Sequence, residues 1–188
     1  MAVRFSFRAA LLRSKRRFGL FRFGRDETGA TAVEFGLIAL PFFALLFAIL
    51  ETGLVFFAGQ TLETAVANVS RTIRTGQAQQ QGLDLTAFRN QICAQISALM
   101  SCSGLSLDVR TYASFSSVNL ANPINSQGKL DTSNFTYDAG NGGDIVVVRA
   151  FYEWPTYSRM LGFNLSNLAD GNHLLAAAAA FKNEPFPW

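Results

Sequence analysis

The chain has 188 residues and a net charge of +3, which leaves room for one modest domain and a membrane segment. It contains two cysteines and one histidine, too few for a zinc site built from these residue types. The scattered carboxylates and the single histidine form no arrangement that indicates catalysis. The sequence therefore predicts a protein that is not an enzyme and that has no metal, cofactor or small-molecule substrate.

The positive charge is concentrated at the N-terminus. Residues 1–29 contain eight basic and two acidic side chains and carry +6, whereas the rest of the chain carries −3. Basic blocks of this kind either bind nucleic acid or stay on the cytoplasmic side of a membrane. The apolar stretch that follows favours the membrane, so no nucleic-acid partner is expected.

The junction between the basic block and the apolar stretch is RDETGATAVEF over residues 25–35. It resembles the type IV prepilin signal, in which a glycine precedes four small or apolar residues, a glutamate and an aromatic residue. The resemblance implies that a prepilin peptidase cuts between Gly29 and Ala30 on the cytoplasmic side. Glu34 and Phe35 match the glutamate and the aromatic residue of that signal.

Glu34 would lie just inside the apolar boundary, where a carboxylate is costly unless it has a partner. In pilin-like assemblies the expected partner is the new α-amino group of the same or a neighbouring subunit. Glu34 would then align a subunit with its neighbours during assembly. The alternative is that Glu34 lies at the level of the lipid headgroups, where a charge costs little.

Residues 30–59 are predicted to form a transmembrane helix. The 25 residues from Phe35 to Gly59 include one charge, Glu51, and as a helix they extend about 37 Å, enough to cross a hydrocarbon core about 30 Å thick. Positive charge before the span predicts a cytoplasmic N-terminus and an external C-terminal domain.

Two features of this span suggest contacts. Ala44, Ala48 and Thr52 recur every four residues, a stripe that permits close helix packing, although alanine is also common in such helices. Glu51 lies near the far boundary of the hydrocarbon. It either reaches the interface unaided or pairs with a subunit or a partner membrane protein.

The helix is predicted to continue beyond the membrane over residues 60–76. Its period of 3.6 residues places four apolar side chains on one face: Leu62, Val66, Val69 and Ile73. Residues 77–82 are polar and are predicted to link this helix to the remainder of a domain that spans residues 77–188.

A second helix is predicted from about Ala87 to Met100, with a cap at Asp84 or Thr86. Cys93 lies on this helix and Cys102 follows its end. Outside the cytoplasm, such a pair favours a disulfide that joins the helix to the next strand. The alternative is two unpaired thiols in the core.

Three strands are predicted in the outer domain. Leu105–Ala113 alternates between apolar and polar residues, as a half-buried strand does. Ile145–Tyr152 is a β-branched run after a glycine-rich turn, which indicates a central strand. His173–Lys182 contains five alanines, which favour a helix, but it follows the turn-forming residues 170–172.

Several runs resemble the TadE-like family of Flp (tight adherence) pilus biogenesis. They are EFGLIALPFF at 34–43, ILETG at 49–53, residues 60–62 and 65–74, FYEWP at 151–155 and parts of 172–186. The resemblance implies an α+β pilin-like fold, in which the long N-terminal helix meets a small antiparallel sheet and one further helix. It also supports a strand at 173–182.

The resemblance implies a minor pseudopilin that is needed to assemble a Flp/Tad-type pilus. It would be anchored in the bacterial inner membrane, with its C-terminal domain in the periplasm. Its partners would be prepilin peptidase, other pilins and pseudopilins, the inner-membrane pilus platform and membrane lipid. The alternative is an uncleaved single-pass protein that carries a periplasmic binding or enzymatic domain.

Overall fold

The structure, a computed structural model, describes residues 29–157 and 163–186, which form the predicted α+β fold. The helices and strands are α1 (Ala30–Arg74), α2 (Gln77–Gln80), α3 (Leu85–Ile96), β1 (Leu105–Tyr112), β2 (Ile145–Pro155) and β3 (Asn172–Lys182). The chain divides into two compact units, Met1–Phe42 and Phe43–Trp188. The predicted leader, apart from Gly29, lies outside the described residues.

α1 is one helix of 45 residues, and its surroundings change along its length. Most large apolar side chains in its first half are exposed. In its second half, the predicted apolar face is buried, and its members are Leu62, Val66, Val69 and Ile73. The helix ends with two arginines in its last turn, where positive charge suits the helix dipole. Gly76 follows with a φ of 79°, which a residue without a side chain adopts easily.

The segment after α1 differs from the predicted polar link. Residues 77–80 form the single helical turn α2, and Ala78 is buried in the main core. α3 begins at Leu85, slightly before the predicted start, because the side chain of Asp84 accepts a hydrogen bond from the backbone N–H of Ala87 at 2.7 Å. This is the interaction of an N-terminal cap. α3 ends at Ile96, four residues before the predicted end at Met100.

The three strands form one antiparallel sheet in the order β1-β2-β3. β2 is the central strand, as its β-branched run predicted. It continues to Pro155, beyond the predicted end at Tyr152, because β3 pairs with its whole length. β1 ends one residue earlier than predicted, at Tyr112.

β3 is a strand, as expected from the turn and the resemblance, although alanine favours helices. Each of its eleven residues pairs with β2. Leu175 and Ala177 are buried, whereas Ala176 and Ala178, which alternate with them along the strand, are exposed. Backbone pairing and the burial of one face therefore outweigh the propensity of single residues.

The main hydrophobic core lies between the second half of α1, α3 and one face of the sheet. Its members include Ala58, Leu62, Val66, Phe88, Ile92, Val109, Val148 and Ala150. A smaller cluster contains Phe151, Leu168 and Leu174, with Leu130 and Phe135 packed against it. Parts of the β1–β2 and β2–β3 connections therefore pack together in this second cluster.

A charged cluster fastens the β1–β2 connection to the sheet. Asp108 on β1 is 0% exposed; it accepts hydrogen bonds from Arg149 Nη2 at 2.6 Å and from Arg110 Nε at 2.8 Å. The backbone N–H of Thr136 donates to the same carboxylate at 3.0 Å. Arg149 also donates to the carbonyl of Ala121 at 3.1 Å. Each charged group thus has the partners that its burial requires.

We expect Asp108→Asn to lower the free energy of unfolding by about 3–5 kcal/mol, because the change leaves the arginine charge without its buried counter-ion. The measurement is urea unfolding of the detergent-solubilised chain, followed by tryptophan fluorescence. Asp131→Asn is the control, since Asp131 lies in the connection and its carboxylate accepts hydrogen bonds from Ser133 in its own turn. Equal stability of the two variants would contradict the importance of the cluster.

Stability should also fall in acid because of this carboxylate. Burial disfavours its charged form, but the hydrogen bonds from Arg149, Arg110 and Thr136 outweigh burial and lower the pKa of Asp108 from 3.8. Its contribution to stability is therefore complete above 3.8 and is lost as the pH falls through the folded-state pKa. We expect a smaller acid-induced loss of unfolding free energy in Asp108→Asn than in the wild type, measured over the same pH series.

Candidate functional site

The predicted cut lies where the described chain begins. Gly29 is an exposed turn residue, and α1 starts at Ala30. The carbonyl of Gly29 accepts a hydrogen bond from the backbone N–H of Val33 at 3.1 Å, so Gly29 supplies the first acceptor of the helix.

Glu34 and Phe35 lie on α1 shortly after this bond, and both are exposed. In a helix, residues four apart lie on the same face with their Cβ atoms about 5–6 Å apart. Ala30 and Glu34 have this spacing. If the chain is cut before Ala30, its new α-amino group and the Glu34 carboxylate are therefore within reach of each other.

Among the described residues, α1 is the helix that is long and apolar enough to cross a membrane, and it fits a single-pass anchor. The large apolar side chains that it exposes are Val33, Phe35, Leu37, Ile38, Leu40, Phe42, Phe43, Leu45, Leu46, Phe47, Ile49, Leu50, Leu54, Phe56 and Phe57. Side chains of this kind, exposed over so many turns, are suited to lipid.

Glu51 contacts its own chain. The backbone N–H of Tyr157, just after β2, donates a hydrogen bond to Glu51 Oε1 at 2.5 Å. From the sequence, Glu51 was expected either to reach the membrane interface unaided or to pair with another protein. In the structure its partner is a backbone group at the start of the β2–β3 connection. This bond places the start of that connection beside α1.

The small-residue stripe of α1 also faces the β2–β3 connection. Ala48 and Thr52 line a cavity of about 320 Å³ together with Phe163 and Leu165. Ala48 is buried. Two of the three residues of the predicted packing face therefore lie beside a segment of the same chain.

Cys93 and Cys102 form the predicted disulfide, with their Cα atoms 5.5 Å apart. Cys93 lies on α3, and Cys102 begins a short 3-10 turn that leads into β1. The neighbouring Arg89 donates from Nη2 to the carbonyl of Cys102. The disulfide and this hydrogen bond together connect α3 to the start of the sheet.

The structure does not bring the predicted functional residues into one cluster. Gly29, Ala30, Glu34 and Phe35 follow one another at the start of α1, whereas Glu51 meets the β2–β3 connection and the disulfide joins α3 to the sheet. In residues 29–157 and 163–186, no group of three or more His, Cys, Asp or Glu side chains could hold a metal ion.

Sequence reasoning missed two groups of residues. The first consists of Tyr157, Phe163 and Leu165, which lie beside the anchor helix. Tyr157 is exposed, whereas Phe151 and Tyr152 in the preceding strand are buried. The second is the Asp108 cluster, for which an arginine inside an otherwise apolar strand was the available signal.

Residues 29–71 match the model of the family described as TadE-like protein. This match confirms the family resemblance for that part of the chain. It begins at Gly29 and ends within the last turn of α1, so it covers the anchor and most of the helix that packs on the sheet. No curated protein and no solved structure matches the chain.

We expect the Cys93→Ala/Cys102→Ala double variant to lose roughly 2–3 kcal/mol of unfolding free energy, because the disulfide restricts the unfolded chain. Urea unfolding of the wild type with and without reductant gives the matched comparison. A thiol reagent should label the wild type only after reduction. Labelling of both cysteines without reductant would contradict the disulfide.

Proposed function

We propose that this chain, a Tad pilus-associated protein with a TadE-like segment, is a minor pseudopilin needed for pilus assembly. A prepilin peptidase cuts it between Gly29 and Ala30. The mature chain then remains in the inner membrane through α1, with its N-terminus at the cytoplasmic side and its α+β domain in the periplasm. It catalyses no reaction and is instead the substrate of the peptidase.

The observation that carries this proposal is the arrangement at the start of α1. The glycine of the prepilin-like signal is exposed and immediately precedes the helix, and the glutamate and aromatic residue follow on its first turns. The match to the TadE-like family begins at the same glycine. The glycine of the motif, the start of α1 and the start of the family match therefore all lie at the Gly29–Ala30 peptide bond.

The orientation follows from charge and from the disulfide. Residues 1–29 carry +6, and positive charge remains on the cytoplasmic side of bacterial membranes. The domain after the span contains the Cys93–Cys102 disulfide, which suits the oxidising periplasm. Both features support the same direction of insertion.

The proposed role of Glu34 is to position the subunit in the assembly. Cleavage creates an α-amino group at Ala30, one helical turn from Glu34. The carboxylate can pair with this group in its own chain or in a neighbouring pilin, and the low dielectric of the membrane strengthens such a pair. The other partners proposed are pilins, pseudopilins and the inner-membrane platform.

We expect Gly29→Leu to block processing, because a bulky side chain hinders the close approach of the peptidase to the backbone. Intact-mass measurement of protein from cells with an active peptidase should find a mature chain starting at Ala30 in the wild type and the full precursor in the variant. Gly36→Leu is a control, since Gly36 lies outside the signal and has open space around it. Wild-type protein that keeps residues 1–29 would support the uncleaved anchor instead.

We expect Glu34→Ala to insert into the membrane normally but to reduce pilus output strongly, because the new α-amino group loses its counter-charge. Output is measured as the amount of sheared pilus protein per cell, together with the membrane-bound amount of the variant. Glu63→Ala is the matched control, because Glu63 is exposed on the same helix beyond the span. Normal output from Glu34→Ala would remove the role assigned to this carboxylate.

A further inference from the structure

We propose that Phe163, in the described part of the β2–β3 connection, lies among the lipid acyl chains of the membrane leaflet on the side of the C-terminal domain. The domain would then contact the membrane at a second place besides α1. This inference rests on the proposed single-pass anchor. The partner is the hydrocarbon edge of the lipid bilayer, and the residues that carry the contact are Tyr157, Phe163 and Leu165.

The position of the contact along α1 is the first argument. Tyr157 is bonded to Glu51, whereas Phe163 and Leu165 share a cavity with Leu45 and Ile49. Leu45 precedes Glu51 by six residues, or about 9 Å along the helix. Phe163 and Leu165 therefore lie beside a stretch of α1 that reaches from the apolar interior of the span to the level of Glu51.

The exposed side chains at this place are apolar. Leu45 and Ile49 are exposed on α1, and Phe163 beside them is 44% exposed. Whatever solvent surrounds these two helix positions also surrounds Phe163. In a membrane-anchored chain that solvent is lipid, because both positions lie within the apolar span. Tyr157 is also exposed and lies beside the charged Glu51, where an aromatic ring with a polar end suits the membrane interface.

Several polar groups beside Phe163 in the described part of the connection are bonded within the chain. The Leu165 carbonyl accepts a hydrogen bond from His173 Nδ1 at 2.6 Å. The Ser166 N–H and hydroxyl both donate to Asn164 Oδ1, at 3.1 and 2.6 Å. Internal bonding of this kind is what lipid demands of irregular backbone, since hydrocarbon offers no replacement for water.

A second membrane helix is a poorer occupant of this surface. Close helix packing needs small residues at the contact, but the β2–β3 connection already faces Ala48 and Thr52. The side chains left exposed around the cavity are the bulky Leu45, Ile49 and Phe163. These leave an open apolar groove that a flexible acyl chain can fill.

Brominated lipids provide the test. The full chain, with Trp154 and Trp188 replaced by phenylalanine, is reconstituted alone into phosphatidylethanolamine/phosphatidylglycerol vesicles, and Phe163→Trp supplies one fluorophore. We expect quenching by lipids brominated on the acyl chains, a blue-shifted emission and weak quenching by aqueous acrylamide. In detergent-free vesicles whose lipids carry bromine at different depths, the depth that gives the strongest quenching locates the indole within the leaflet.

Two control variants, each with a single tryptophan at another position, are measured for comparison. Phe115→Trp is the aqueous control, because Phe115 is 55% exposed and follows the end of β1. That end of β1 pairs with the start of β2 at Ile145, whereas Tyr157 follows the other end of β2. Phe47→Trp is the anchor control, because Phe47 is 59% exposed on α1. Phe163→Trp should behave like Phe47→Trp and unlike Phe115→Trp.

Each other outcome overturns the inference in a distinguishable way. If acrylamide quenches Phe163→Trp as it quenches Phe115→Trp, while Phe47→Trp responds to bromine, the anchor stands but the second contact does not. If Phe47→Trp does not respond to bromine, the proposed anchor itself fails. Protection of Phe163→Trp from both quenchers would mean that another copy of the chain covers the groove.

The tether to Glu51 is tested in the same vesicles. Glu51→Gln keeps an oxygen that can accept the hydrogen bond from Tyr157, whereas Glu51→Leu does not. We expect quenching of Phe163→Trp by brominated lipid to be retained in Glu51→Gln and reduced in Glu51→Leu. An equal signal in both variants would overturn the part assigned to this carboxylate.

Discussion

The helix α1 must satisfy two solvents along one uninterrupted backbone, and the rest of the fold depends on how it does so. Its first half exposes apolar side chains in nearly every direction, which is favourable in lipid and costly in water. Its second half buries one face against the sheet and α3. The second half of α1 is therefore part of the core of the C-terminal domain.

Polar groups in apolar surroundings explain the remaining contacts. Glu51 lies on the helix where its environment changes, and its hydrogen bond from Tyr157 draws the β2–β3 connection against α1. Within the domain, Asp108 and Arg149 meet the same requirement by pairing with each other and with the backbone of the β1–β2 connection. In both places a charged side chain forms a hydrogen bond that positions a connection.

The regular elements could be predicted because their signals are local. The 3.6-residue period of Leu62, Val66, Val69 and Ile73 identified a buried helix face, and the β-branched run from Ile145 identified a central strand. α2 was missed, since a four-residue turn rich in glutamine has no apolar period. The end of α3 was placed too late because Leu99 continues the apolar pattern after the helix has ended at Ile96.

The sequence by itself determined the long apolar helix, the α+β class and the two cysteines available for a disulfide. These depend on composition and on short spacings along the chain. Only the tertiary structure decided the partner of Glu51, the segment that covers Ala48 and Thr52, and the pairing of Asp108 with Arg149. Those contacts join residues that are far apart in sequence, and a local period does not show which distant backbone group or side chain a given residue will meet.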